Sequence, residues 1–237
     1  MLENRSLDNY FQSAVSFAKE YLSQKDLQRL FWISGSTCAG KTTTSSLIAE
    51  RLNYNVYHCD EHEAQQRQRA SFDRHPSWFS YAQLTGDSLW LRPVVQHRAM
   101  EEKACTEQFE LIVEDLAECL KADSRPLIYD GYVSPHILVA LLPNKTHAYY
   151  LVASEQFQRN FYKERPWAKD VLAKTSNPEQ AWDNWMQRDS LGARSLESDL
   201  RRTGLNWMLV AGAVSLEATV DLIATQFARA HQSDFGV

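Results

Sequence analysis

The sequence of 237 residues predicts one domain of the α/β class. Three observations support this prediction. Apolar runs typical of strands alternate with segments of helical periodicity along the chain. A glycine-rich loop separates the first such strand from the helix that follows it, while an acidic residue directly follows the second strand and another lies at the end of the third. Ligands of open parallel sheets bind at the carboxyl ends of the strands, so the loop and the acids are expected at one edge.

The composition is that of a soluble globular protein. Hydrophobic residues make up 44% and charged residues 23% of the chain, and no apolar run reaches the roughly 20 residues of a membrane span. The net charge is -5 without a basic stripe, which disfavours nucleic acid as the main partner. No apolar signal core follows residues 1–5, and the 4 cysteines lack metal-binding spacing. A cytoplasmic protein with reduced thiols and no membrane partner is expected.

The first part of the chain predicts a helix, a strand and a second helix. Residues 7–29 carry apolar side chains close to one helical stripe, and this helix is expected to pack beside the first strand. That strand is predicted at Leu30–Ile33, and residues 43–52 have the spacing of a helix. The loop between them fits the pattern G-x-x-x-x-G-K-[ST] at every fixed position. It reads Gly35-Ser36-Thr37-Cys38-Ala39-Gly40-Lys41-Thr42.

This glycine loop, residues 35–42, has the chemistry of a phosphate-binding site. Its two glycines let the backbone curl so that several amides point at a phosphate chain. Lys41 would reach the β- and γ-phosphates, Thr42 would give its hydroxyl to magnesium, and Thr43 continues into the helix whose dipole favours an anion. A glycine turn that binds nothing is the alternative. Cys38 is either a thiol whose pKa nearby cations lower or a small residue that fits.

The second strand, Tyr54–Cys59, is followed at once by Asp60. Asp60 would accept a proton from a substrate hydroxyl or hold a metal-bound water; the alternative is a helix N-cap. His62 is a weak metal candidate because no second histidine follows four residues later.

Residues 61–125 interrupt the alternation with a polar, aromatic segment and then a long helix from Val94 to Leu120. Its aromatic residues could stack on a planar ligand or belong to the core. Arginines there could clamp an anion or be surface charges. The residues in question are Trp78, Phe79, Tyr81, Arg67, Arg69, Arg74 and Arg92.

The third strand, Leu127–Gly131, contains Asp130 at its carboxyl end, where an acid would orient magnesium through its water shell. The roles of Asp60 and Asp130 could be exchanged. Strands four and five are predicted at 149–152 and 205–210, and a closing helix at 215–227.

Basic residues are frequent between strands four and five, and we single out Arg165 and Arg188. These two are expected to neutralise charge on a phosphoryl group as it is transferred. The alternative for Arg188 is structural pairing with Asp183 or Asp189.

Several further segments accompany the glycine loop and the two acids. They are His58-Cys59-Asp60-Glu61-His62, Arg74-His75-Pro76, Leu89-Trp90-Leu91-Arg92-Pro93, Phe157-Gln158-Arg159, Arg165-Pro166-Trp167 and Asn184-Trp185-Met186-Gln187-Arg188-Asp189. Together these features resemble the nucleoside/nucleotide kinase-like branch of P-loop NTPases, and in detail a bacterial group of ATP-binding proteins.

The resemblance implies a three-layer α/β/α fold with a five-stranded parallel sheet in the order 2-3-1-4-5. It also implies ATP and Mg²⁺ as cosubstrate and cofactor, an acceptor-binding insertion at 61–125 and a lid at 155–202. A kinase for a small-molecule acceptor, such as a nucleoside, a nucleotide or another hydroxyl metabolite, is therefore expected. The alternative is a nucleotide-binding switch or sensor that engages a protein.

Overall fold

Five parallel strands form one sheet at the centre of the computed structural model, which describes residues 7–236. The strands are β1 (Leu30–Gly35), β2 (Asn55–His58), β3 (Leu127–Asp130), β4 (Ala148–Ala153) and β5 (Asn206–Val210). They are ordered β2-β3-β1-β4-β5, and every neighbouring pair is parallel. The α/β class and the strand order are thus confirmed. The expectation for residues 1–5 lies outside the described part of the chain.

Twelve helices surround this sheet within the described residues, and one 3₁₀ turn at Lys145–His147 precedes β4. They are α1 (Leu7–Tyr21), α2 (Gln24–Arg29), α3 (Lys41–Leu52), α4 (Cys59–Arg69), α5 (Pro76–Tyr81), α6 (Gly86–Trp90), α7 (Val94–Ala122), α8 (Pro135–Leu141), α9 (Glu155–Lys163), α10 (Pro166–Leu172), α11 (Pro178–Thr203) and α12 (Leu216–Phe235). The long helix α7 lies where its periodicity predicts it. The closing helix α12 continues past Phe227 to Phe235.

The core has two layers, one on each face of the sheet. Along β1, Phe31 and Ile33 point to the layer that contains α3 and α12, while Leu30 and Trp32 point to the layer of α1, α7, α8 and α11. Successive side chains of a strand face opposite sides, so a central strand covered on both faces must be apolar throughout. This explains why β1, β3 and β4 are buried along their whole length.

The prediction of one helix over residues 7–29 is wrong, because two helices meet there. The Oγ of Ser23 accepts a hydrogen bond from the amide of Asp26 at 3.2 Å, and the Asp26 carboxylate accepts one from the amide of Ser23 at 3.0 Å. This reciprocal pair is a capping box, which begins a new helix at Gln24. The serine-to-acid spacing was present in the sequence, but the continuous apolar stripe concealed it.

The insertion at 61–125 and the predicted lid at 155–202 both contribute helices that contact α7. Helices α4 and α5 lie against α7, and α11 lies against α7 and α8. Trp78 is buried, whereas Phe79 is exposed, so the aromatic residues of the insertion are divided between core and surface. Because Leu196 and Leu200 of α11 belong to the main core, that helix is part of the body of the domain.

The packing of α3 on the sheet can be tested with two adjacent residues. Ile48 is fully buried beneath the sheet, while Leu47 is 38% exposed on the same helix. We expect Ile48→Ala to lower the free energy of unfolding by about 3 kcal/mol through lost burial and a residual cavity. Leu47→Ala should cost less than about 1 kcal/mol. Urea denaturation measures both, and equal losses would contradict this orientation of α3.

Candidate functional site

The glycine loop joins β1 to α3 in a conformation that requires glycine at its start. Gly35 has a φ of +142°, and a Cβ built there would lie 1.9 Å from the carbonyl oxygen of Leu151. Gly40, with a φ of +79°, ends the loop, and Cys38 also has a left-handed φ of 59°. These three positive φ values curl the chain between strand and helix, as a loop that surrounds a ligand must do.

Two hydrogen bonds attach the loop to β4. The amide of Ser36 donates to the carbonyl oxygen of Leu151 at 3.0 Å, and the amide of Ala153 donates to the Oγ of Ser36 at 2.8 Å. Inside the loop, Nζ of Lys41 donates to the carbonyl oxygen of Ser36 at 2.9 Å. The side chain of Lys41 therefore spans the loop from its end to Ser36, and its ammonium group lies next to the loop backbone.

The first turn of α3 is available to bind an anion. Its N-cap is Gly40, which has no side chain to accept hydrogen bonds from the first amides. The positive end of the helix dipole and the Lys41 ammonium act on the same space. Thr42 is exposed on this turn. The arrangement is suited to a phosphate, whose oxygens would accept from the uncapped amides.

Asp60 and Asp130 both lie at the carboxyl edge of the sheet, but in different surroundings. Asp130 is only 4% exposed, and its Oδ2 lies 2.7 Å from Nδ1 of His58, its register partner on β2. Asp60 is exposed in the first turn of α4. Partial desolvation raises the pKa of Asp60, as do the charges of Asp130 and Glu63, while Lys41 opposes the shift. The N-cap alternative for Asp60 is wrong, because the N-cap of α4 is His58.

A cavity of about 180 Å³ connects these groups. It lies between the glycine loop, the ends of β2 and β3, and the two long helices α7 and α11. From the sequence prediction, the cavity brings together Gly35, Ser36, Thr37, Lys41, Thr42, Asp60, Asp130 and Arg188. The lining residues that sequence reasoning missed include Arg98, Glu101 and Tyr132, and Asp189, which the sequence offered only as a partner of Arg188, lines the cavity too. Of the other predicted residues, Cys38, Ala39, Gly40 and Thr43 belong to the loop and its helix but do not line this cavity.

Arg188 is held by acidic partners inside the protein. It is 5% exposed, its Nε donates to Oδ1 of Asp189 at 2.7 Å, and its NH1 lies 3.2 Å from Oε1 of Glu101. Its guanidinium also lies over the ring of Trp90 at 5.1 Å. The structural pairing with Asp189, which the sequence left open, is therefore present, and Arg188 lines the cavity from this fixed position.

Asp189 in turn links the glycine loop to α9 and α11. Its Oδ2 accepts from Oγ1 of Thr37 at 3.0 Å, from Nε2 of Gln158 at 2.9 Å and from the hydroxyl of Tyr162 at 3.1 Å. Gln158 also donates to Thr37 at 2.7 Å. A buried carboxylate that accepts several hydrogen bonds restrains the side chains that donate them. The position of Thr37 therefore depends on helices α9 and α11.

Arg165 is exposed and lies near the loop without lining the cavity. Its guanidinium stands 5.8 Å from the ring of Tyr162 and 5.7 Å from that of Trp167. Its positive charge opposes the rise in the pKa of Asp60 and of the Cys38 thiol. Desolvation still raises the pKa of Cys38, so the structure supports the interpretation of Cys38 as a small residue that fits the loop.

Three of the four insertion arginines named from the sequence are engaged elsewhere. Arg69 pairs with Asp115 at 2.6 Å, Arg74 pairs with Glu114 at 3.1 Å, and Arg67 pairs with Glu63 of its own helix. None of the three lines the cavity. They are surface charges paired with acids rather than an anion clamp at this site.

The donors around the loop suit magnesium better than a transition metal. Among residues 7–236 no three His, Cys, Asp or Glu side chains come together as a metal site. The ring of His62 stacks on Tyr57 with centroids 4.1 Å apart, which explains its position without a metal. The hydroxyl of Thr42 and the carboxylate of Asp130 are hard oxygen donors at the cavity wall, the kind that magnesium accepts alongside phosphate oxygens and water.

Comparison with protein-family models finds no match for this chain, and comparison with curated proteins finds no significantly similar sequence. Within the part of the chain that the structure describes, no helix has both the length and the apolar character needed to span a membrane.

The strained start of the glycine loop can be tested by comparing its two glycines. Gly35→Ala would place a methyl group against the backbone of Leu151, so we expect a loss of more than about 4 kcal/mol in unfolding free energy, or no folding. Gly40→Ala meets no atom within 4 Å and should cost about 1 kcal/mol for its left-handed backbone. Urea denaturation measures both. Similar small losses would contradict the close approach at Gly35.

The pairing of Arg188 predicts a neutral histidine beside it. NH1 of Arg188 lies 3.3 Å from Nε2 of His97, and the hydroxyl of Tyr81 lies 3.0 Å from the same atom. A guanidinium can only donate, so Nε2 must accept. Burial, the Arg188 charge and the charges of Arg92 and Arg98 lower the pKa of His97 to about 4, against the opposing charge of Glu101.

Stability should therefore fall on acidification as the unfolded chain binds a proton at His97 that the folded chain excludes. The loss begins below about pH 6.5 and continues to about pH 4, and reaches about 2 kcal/mol at pH 5. His97→Gln keeps an acceptor but does not titrate. In urea unfolding at pH 7 and pH 5, the variant should lose about 2 kcal/mol less stability than the parent. An identical pH dependence would mean that His97 is charged in the folded protein.

Proposed function

We propose that this protein is a magnesium- and ATP-dependent phosphotransferase that acts on a small-molecule acceptor, and that residues 35–43 are a phosphate loop of the nucleoside/nucleotide kinase-like type. One observation carries the proposal: Lys41, Asp60 and Asp130 face one cavity at the carboxyl edge of a parallel sheet. A cation, a base and a metal-orienting acid on one wall are the parts that phosphoryl transfer requires.

The nucleotide would be held by the glycine loop. The uncapped amides of the first turn of α3 and the Lys41 ammonium would bind the β- and γ-phosphates. Thr42 and Asp130 would hold magnesium, which when bound neutralises charge on the phosphate oxygens. His58, 2.7 Å from Asp130, would fix the orientation of that carboxylate.

The two acids are assigned different roles because their exposure differs. Asp60 opens to the cavity, so it would accept the proton of the acceptor hydroxyl, whereas buried Asp130 is held by His58. As the acceptor oxygen bonds to the γ-phosphorus, the bond from that phosphorus to the β,γ-bridging oxygen breaks and ADP leaves with its electron pair. Asp60 then releases the proton to solvent. A carboxylate with a raised pKa is a better proton acceptor than an ordinary aspartate.

The two arginines would act differently. Arg165 is exposed near the loop, where its charge can move toward the transferring phosphoryl group, and such arginines contribute a factor of about 10³ or more. Arg188 is buried against Asp189, so its role would be to fix the cavity wall and the Thr37 hydroxyl.

A second candidate function is a nucleotide-dependent switch that engages a protein. The hydrogen bond that Thr37 donates to Asp189 and the one that it accepts from Gln158 favour it, because nucleotide in the loop would then be sensed by α9 and α11. A kinase differs from such a switch in releasing ADP only when its acceptor is present.

Thermal unfolding with nucleotide tests the proposal. We expect magnesium-ATP at about 100 times its dissociation constant to add roughly 2.7 kcal/mol to stability, and a metabolite library to reveal an acceptor that increases this shift and releases ADP. Lys41→Ala should lose most of the ATP-dependent shift. Lys121→Ala, a change at an exposed and distant ion pair, is the control and should behave like the parent.

Absence of any shift with magnesium-ATP in the parent protein would contradict the phosphate-loop assignment. An ATP-dependent shift that is unchanged in Lys41→Ala would place nucleotide binding elsewhere. A shift without ADP release in the presence of any metabolite, together with nucleotide-dependent binding to a protein, would favour the switch.

A further inference from the structure

One wall of the cavity is formed by α7, α11 and the residues after β3. Arg98 and Glu101 come from α7, Tyr132 follows β3, and Gly192 and Leu196 come from α11. The chemistry proposed above assigns no role to Arg98. Its side chain is 13% exposed, so the guanidinium is largely removed from bulk water yet borders the cavity.

The guanidinium of Arg98 has donors to spare. Its NH1 donates to Oε2 of Glu101 at 3.0 Å, and its Nε is buried without an acceptor among the described residues. Arg188 differs, because its Nε and NH1 are both engaged by Asp189 and Glu101. A buried guanidinium nitrogen that donates to no acceptor, as Nε does here, is costly unless something else accepts from it.

Two neighbouring residues pack against the Arg98 guanidinium. The guanidinium carbon lies 5.9 Å from the ring centre of Tyr132, which supports one side. Gly192 approaches the same side chain closely, since a Cβ built there would lie 3.3 Å from Nε of Arg98. Glu101 carries a negative charge, but both Arg98 and Arg188 neutralise it.

We infer that Arg98 binds the carboxylate or phosphate of the acceptor, so that the acceptor is a small hydroxyl compound with an anionic group at its far end. This inference rests on the proposed function. Asp60 and Arg98 line the same cavity, so one small molecule would present its hydroxyl to Asp60 and its anion to Arg98. A cavity of about 180 Å³ limits such a compound to the size of a small polyol derivative.

The test uses matched sets of probes: glycerol, glycerate and glycerol 3-phosphate, and glucitol, gluconate and glucitol 6-phosphate. ADP release and thermal shift are measured for each probe with magnesium-ATP. We expect at least one anionic probe to be phosphorylated with a KM at least about tenfold below that of its neutral partner, the factor that one charge-assisted pair supplies. Activity with acids, with phosphate esters or with both distinguishes the two sources of the anion.

Variants then assign the effect to Arg98. Arg98→Gln should raise the KM of the anionic probe by at least about tenfold. Arg98→Lys keeps the charge, so its KM should lie between those of Arg98→Gln and the parent. The ATP-dependent thermal shift should remain in both variants. Gly192→Ala crowds the guanidinium without changing any charge, so it should raise the same KM while the protein still unfolds at the parental temperature or above. Arg74→Gln, a surface arginine paired with Glu114, is the control and should have the parental KM.

Equal activity toward neutral and anionic probes, or an unchanged KM in Arg98→Gln and Gly192→Ala, would overturn the inference. Stabilisation by magnesium-ATP without binding of any anionic probe would also overturn it. That result would still agree with nucleotide binding at the glycine loop. If the proposed function itself is wrong, the result differs, because the parent protein would then show no thermal shift with magnesium-ATP at all.

Discussion

The contact between the start of the glycine loop and β4 is the constraint on which the candidate site depends. Gly35 passes the carbonyl oxygen of Leu151 at a distance that no side chain permits, and Ser36 then exchanges hydrogen bonds with β4 at Leu151 and Ala153. Because α3 begins where the loop ends, these bonds also set where Lys41 and the uncapped amides lie relative to the ends of β2 and β3. The fold thereby places the uncapped end of a helix beside two carboxylates.

The sequence predicted the parts of this arrangement that depend on local signals. Apolar runs located all five strands, and the spacing of Gly35, Gly40 and Lys41 located the loop. That Asp60 and Asp130 face one cavity follows from topology, since each stands at or just after the end of a parallel strand and β2 pairs with β3. The order of strands came from resemblance alone, because pairing between distant strands leaves no mark on either one.

The missed residues are those whose role depends on how long helices are rotated. Arg98 and Glu101 share a face of α7 by their spacing, but only packing against α11 and the core decides that this face turns to the cavity. Arg165 and Arg188 look alike in sequence, yet one is exposed beside aromatic rings and the other is buried against Asp189. The loop of this site can therefore be predicted from the local sequence pattern, whereas the part of the cavity lined by α7 and α11 is found only from the three-dimensional structure.

Backbone amide NMR of the isotope-labelled protein, titrated with magnesium-ATP, tests the central claim most directly. If the glycine loop binds the phosphates, the largest shift changes should fall on the amides of residues 36–43, with smaller changes at Asp60 and Asp130, and adenosine without phosphates should leave the loop amides unperturbed. Perturbations confined to another surface, such as the groove between Leu47 and Leu216, with the loop amides unchanged, would contradict the account.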